Sequence, residues 1–192
     1  MGKAVMAAMA ALVWWACLAA QAAPLRLPAS KEAVAQGGSV TAAAQGALIR
    51  YRGWLLAVDD AASEQMPDVL LTSAEAGQGP QLRVGATQRA LPVWSAFELV
   101  KGSTRLRITA LPGPDEVAAL LLDFGNGDYR IVIPATRIAR PAYPLLAQRF
   151  PGADLALLLH DGRRVMLPLG SGSTHVFGEE QAVPYRFSKV KR

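Results

Sequence analysis

Apolar residues along this chain recur at period two more often than at period 3.6. Between residues 104 and 110, Arg105 and Arg107 alternate with Leu106 and Ile108, which predicts a half-buried strand with the arginines on one face. Residues 117–124 and 129–133 predict a hairpin across Gly125-Asn126-Gly127-Asp128, because Asn-Gly supplies the positive backbone dihedrals a tight turn requires. Residues 47–51 and 54–58 predict another hairpin across Arg52-Gly53, with 39–43 as the strand before it. Apolar runs at 68–72, 82–84, 91–94, 154–159, 165–167 and 183–187 predict further strands. Only 142–150 has helical spacing, with Leu145, Leu146 and Phe150 on one stripe and Pro151-Gly152 as the stop. No internal repeat is evident. Strands dominate and one or two helices accompany them, so the expected class is α+β.

The first residues follow a different pattern. Lys3 precedes an apolar, alanine-rich stretch that ends in Ala20-Gln21-Ala22, a small-x-small cleavage site. Residues 1–22 are expected to be a secretory signal peptide, 23–38 an extended leader, and 39–192 a single domain. Export to the periplasm or the extracellular medium follows, with no membrane span after cleavage. The only cysteine, Cys17, leaves with the signal, so neither a disulfide nor thiol chemistry is expected in the mature chain. The net charge of +5 is scattered, apart from the tail Lys189-Val190-Lys191-Arg192. No module joins basic and aromatic residues in the manner of a nucleic-acid binder.

Residues 68–80, "DVLLTSAEAGQGP", place a buried strand ahead of a loop of small and polar residues, where enzymes often carry ligands or nucleophiles. Ser73 could serve as a nucleophile, but Thr72 and Ala74 do not provide the glycine-flanked elbow. Asp59-Asp60 and Asp115-Glu116 are paired carboxylates, suited to a hard cation or to ordinary turns. His160 ends an apolar strand beside Asp161 and could act as a general base. Neighbouring strand residues point to opposite faces, so that pair is not expected to face itself. His160 and His175 are the only histidines, and no HxH, HExxH or CxxC spacing occurs.

In the order of its pieces the chain resembles the metallo-β-lactamase fold, in particular bacterial hydrolase-like proteins near the lactonase and phosphodiesterase branches. "GALIRYRGWLLAVDD" (46–60) resembles the family's opening hairpin, and "DVLLTSAEAGQG" (68–79) its strand into the HxHxDH loop. "LLLDFGNGDYRIVIPAT" (120–136) resembles the hairpin ending in a metal-binding Asp, and "AVPYRFS" (182–188) a final strand that would deliver a His. The resemblance implies a metallo-β-lactamase-like αβ/βα sandwich, shortened and strand-dominated. Its zinc ligands are absent. Ser73 and Glu75 stand at the first two His positions, Gly77 at the Asp and Gln78 at the last His; Pro114 and Asp115 occupy the next ligand stretch, Ala135 the bridging Asp, and Arg186 the final His.

A two-metal site needs several donors converging on one point, and Glu75 with Gln78 cannot hold two zinc ions. Arg186 places a fixed positive charge there, which opposes a cation and suits an anion. The expected function is a non-catalytic, pseudoenzyme-like binding or structural protein with no resident metal, its ligand an anionic small molecule near Arg186, Ser73 and Gln78. One alternative is an active metal-dependent hydrolase of that fold with an altered site, using Asp59, Glu75 and Asp115 for one cation or His160 as base. The other is an unrelated β-rich envelope binding module.

Overall fold

The computed structural model describes residues 24–29, 37–43, 46–59, 65–73, 79–112, 117–170, 175–178 and 184–188. The expected signal peptide, Glu75, Gln78 and Asp115 lie outside the described residues.

Fourteen strands are described: β1 (Leu25–Leu27), β2 (Gly37–Ala43), β3 (Gly46–Tyr51), β4 (Trp54–Val58), β5 (Val69–Thr72), β6 (Gln81–Val84), β7 (Thr87–Ala90), β8 (Ala96–Lys101), β9 (Thr104–Pro112), β10 (Val117–Phe124), β11 (Tyr129–Pro134), β12 (Leu155–His160), β13 (Arg163–Pro168) and β14 (Tyr185–Ser188). One sheet has the order β14-β2-β3-β4-β5-β6-β7 and the other β1-β8-β9-β10-β11-β12-β13. Their inner faces meet in one core. Ile49, Trp54, Leu56 and Leu71 of the first sheet share it with Ile108, Leu122, Ile131 and Leu157 of the second. The alternation read at 104–110 is the reason: Leu106 and Ile108 are fully buried there, while Arg105 and Arg107 are exposed.

The α+β expectation, and with it the αβ/βα sandwich, is overturned. The fold is mostly β: two mixed sheets with one short helical segment among the described residues. That segment is a 3-10 helix at Arg140–Leu145 running into α1 (Leu146–Arg149). Pro144 within it has no amide proton to give to a helical hydrogen bond, and a continuous helix over 142–150 does not form. Leu145, expected on the buried stripe, faces solvent, while Tyr143, Leu146 and Phe150 cover the outer face of the second sheet over Val132, Ala156 and Leu158. The strand read at 91–94 is instead a turn, with Trp94 at φ +65°. Strands β7 and β8 escaped the sequence reading, and so did β1, which pairs in parallel with β8 inside the stretch read as a leader.

The two sheets share one plan, although no repeat is visible in the sequence. In each, a hairpin (β3–β4, β10–β11) is followed by a parallel strand (β5, β12) and then an antiparallel one (β6, β13). An aspartate just before each parallel strand makes the same two bonds. Asp68 donates its amide to Leu55 O (2.8 Å) and accepts the Leu55 amide on Oδ2 (2.8 Å). Asp154 does the same with Arg130 (2.9 and 2.7 Å). β2 flanks the first hairpin as β9 flanks the second, and each has a further antiparallel neighbour, β14 and β8. The aromatic residue ending each first hairpin strand, Tyr51 or Phe124, meets its counterpart edge-to-face at 5.3 Å.

Candidate functional site

Of the residues singled out in the sequence, Asp59 and Ser73 come together. Each ends a parallel-paired strand of the first sheet, β4 or β5. Asp59 turns out of its strand at φ +52° and accepts the Ser73 amide on Oδ1 (2.8 Å) and the Ser73 hydroxyl on Oδ2 (3.2 Å). Arg164, on β13 of the opposite sheet, donates to Asp59 Oδ2 through Nε (3.1 Å) and Nη2, to Ser73 Oγ (2.7 Å) and to Leu157 O (3.3 Å). Its side chain is only 3 % exposed. The Ser73 hydroxyl is therefore committed to a carboxylate that is itself held by Arg164, and among the described residues no imidazole is bonded to it. This cluster ties the two sheets together. Arg164 was missed by the sequence reading, although its signal was there: it alternates in phase with Met166, whose side chain is in the inter-sheet core.

His160 lies beside Asp161 after all, with Nε2 3.3 Å from Oδ2. The opposite-face rule fails because Asp161 lies outside the strand, in a turn with φ +47°. Arg140 Nε donates to His160 Nε2 (3.1 Å), and the Tyr143 hydroxyl lies 3.4 Å from Nδ1. Asp161 also pairs with Arg137. The ring thus sits among Arg140, Tyr143 and Asp161 at the rim of the second sheet, on its outer face. Arg164, beside His160's cross-strand partner Arg163, is instead on the inner face with the Asp59 cluster. Among the described residues, no three of His, Cys, Asp and Glu are grouped to hold a metal ion.

Arg186 lies elsewhere, on a groove of about 750 Å³ at the hairpin end of the first sheet. Cross-strand register builds its basic wall. Arg186 pairs with Ser39, Ser39 with Arg50, and Arg50 with Leu55, so four strands set one row of side chains on the outer face. Arg50 donates to Gln65 Oε1 (2.9 Å), and Arg186 forms no ion pair among the described residues. Arg52, in the two-residue turn at φ +49°, pairs with Asp128. At the far end Lys101 Nζ is held by Asp68 (2.7 and 2.8 Å) and by Gly53 O (2.6 Å).

Behind the basic row, on the inner face of the same strands, aromatic packing dictates a glycine. A Cβ on Gly38 would come within 2.4 Å of the Phe187 ring and 2.8 Å of the Tyr51 ring. Gly38→Ala is expected to destabilise the fold by about 1–3 kcal/mol through overpacking, measured as a lower midpoint in urea unfolding. Burial pushes the Tyr51 phenol above its ordinary range, against the opposing influence of Arg52, so it stays protonated at neutral pH.

The equivalent row of the second sheet acts as an internal control. There Glu98 pairs with Arg107, Arg107 with Asp123 and Asp123 with Arg130, alternating in sign. Arg130 Nε also bonds Asp123 Oδ2 at 2.9 Å. In the first sheet the corresponding positions are Arg186, Ser39, Arg50 and Leu55, where no acid faces the cations. Ser73 lies at the other end of its sheet's strands, in the Asp59 cluster, so the expected grouping of Ser73 with Arg186 does not occur.

No family model, curated protein or solved structure matches the chain, and nothing among them identifies a metallo-β-lactamase.

Proposed function

We propose that this chain is a non-catalytic binding domain for an anionic ligand, taken up in the groove between Arg186 and Arg50. The observation that carries the reading is the unbalanced row Arg186–Ser39–Arg50, set against the acid-balanced row at the same place in the other sheet. Two guanidiniums on alternate strands stand about 10 Å apart at their Cα atoms, a gap their long side chains can close around one anion. Ser39 between them adds a hydroxyl donor. The signal-like start of the sequence adds export to this proposal, making it a domain of the periplasm or the medium.

The non-catalytic part rests on the same geometry. Asp59 and Ser73 are consumed in a cross-sheet tie, and His160 sits at another rim. Among the described residues the carboxylate that lines the groove, Asp68, is taken up by Lys101, and a groove so lined binds its ligand and does not turn it over. Titration of the protein with inorganic phosphate or sulfate, followed calorimetrically, tests the reading. Arg50→Gln and Arg186→Gln are each expected to weaken binding about ten-fold, as loss of a charge-assisted bond does. Affinity unchanged in both variants would overturn it.

A further inference from the structure

We infer that the ligand of this groove is a phosphate monoester carrying an organic body, in preference to a carboxylate; this rests on the anion-binding reading above. Charge is the first argument. The groove is lined by Arg50, Arg52, Lys101 and Arg186, and the acids beside these cations among the described residues are Asp68 in the lining and Asp128 on Arg52. Four positive groups against two negative ones leave an excess of two, which matches the dianion of a phosphate monoester and exceeds the single charge of a carboxylate.

Donor geometry is the second. A carboxylate presents two oxygens in one plane, which a single guanidinium fork saturates. Here the two forks approach from strands on opposite sides of Ser39, with its hydroxyl between them. Three donors on three adjacent strands suit the three terminal oxygens of a tetrahedral phosphate.

Size is the third. A groove of about 750 Å³ lies in the range of sites for whole small molecules, far larger than one phosphate needs. Beyond the arginines its surface turns apolar, with Leu55, Met66 and Pro184, and Met66 stands 85 % exposed beside Gln65, the partner of Arg50. An ester body laid on that surface leads away from the phosphate toward Lys101, already neutralised by Asp68. Such an ester could be a free metabolite or a lipid headgroup.

The test uses the full chain with four probes: inorganic phosphate, hexyl phosphate, heptanoate, and phosphatidylcholine vesicles with or without phosphatidate. Hexyl phosphate is expected to bind at least about ten-fold tighter than heptanoate, through the added charge and oxygen. It should also bind tighter than inorganic phosphate, through the apolar surface under Met66. Arg186→Gln is expected to remove most of the preference for phosphate over carboxylate, and Met66→Ser only the gain from the hexyl chain. Capture by phosphatidate vesicles as well as by hexyl phosphate would support the ester and point to a lipid source; capture of hexyl phosphate alone would support it and point to a free one. Equal binding of hexyl phosphate and heptanoate, both lost in Arg186→Gln, would overturn the phosphate inference and leave the anion groove standing. No binding of any anion would overturn both.

Discussion

Arg164→Ala is expected to cost about 3–5 kcal/mol of folding stability, the range for removing one partner of a buried ion pair. The guanidinium does three things at once: it neutralises Asp59, it donates to the Ser73 hydroxyl, and it bonds the Leu157 carbonyl of its own sheet. Truncation strands an Asp59 carboxylate whose side chain is only 17 % exposed. It also opens a void between the sheets. The remaining Ser73 bonds cannot hold a full negative charge away from water. Urea unfolding of the variant should show the midpoint shift.

Adding Asp59→Asn to the Arg164 variant removes the stranded charge. It is expected to recover about 1–3 kcal/mol, a coupling energy proper to residues in one network. A loss below about 1 kcal/mol for Arg164→Ala would place the pair with solvent-screened surface bridges and remove the tie from the account of how these sheets are held.

The strands of the hairpins were legible because their alternation is strong and their turns carry the chemistry of turns. Arg52-Gly53 and Asn126-Gly127 adopt the positive φ values that such dipeptides supply. The edge elements were not. Thr87–Ala90 is exposed along its whole length, so no alternation marks it, and Ala96–Lys101 lies beside a turn whose Leu-Pro-Val-Trp run looks like a strand by composition. The class failed on one segment: spacing saw Leu145, Leu146 and Phe150 as a stripe and gave too little weight to Pro144.

The shared plan of the two sheets was illegible for a clear reason. What the sheets share is register and one aspartate bond, whereas the residues on the equivalent outer row differ, Glu98-Arg107-Asp123-Arg130 in one and Arg186-Ser39-Arg50-Leu55 in the other. Arg186 was found through a family resemblance that no comparison upholds, and its groove partners Arg50 and Arg52 were read only as parts of a hairpin. Their role needed the pairing of β14 with β2, which joins residues far apart in the chain. No local pattern reports such a contact.

A difference between the two sheets sets the second large effect. Asp68→Ala is expected to cost about 2–4 kcal/mol, because its carboxylate accepts the Leu55 amide, as Asp154 accepts that of Arg130, and holds a cation as well. That cation is Lys101. Its ammonium bonds both Asp68 oxygens and its side chain is only 12 % exposed, so removal of the carboxylate leaves a largely buried cation on the Gly53 carbonyl alone. Binding should move the other way. Without Asp68 the groove gains one net positive charge and a released Lys101, so phosphate affinity is expected to rise severalfold while stability falls. Urea unfolding and phosphate titration of the same variant measure the two. Opposite signs would mean that Asp68 trades ligand affinity for the closure of β4 on β5. A fall in both would mean that the arginine row is held in place through the Leu55 amide, so that the groove has no geometry of its own once that strand start is loosened.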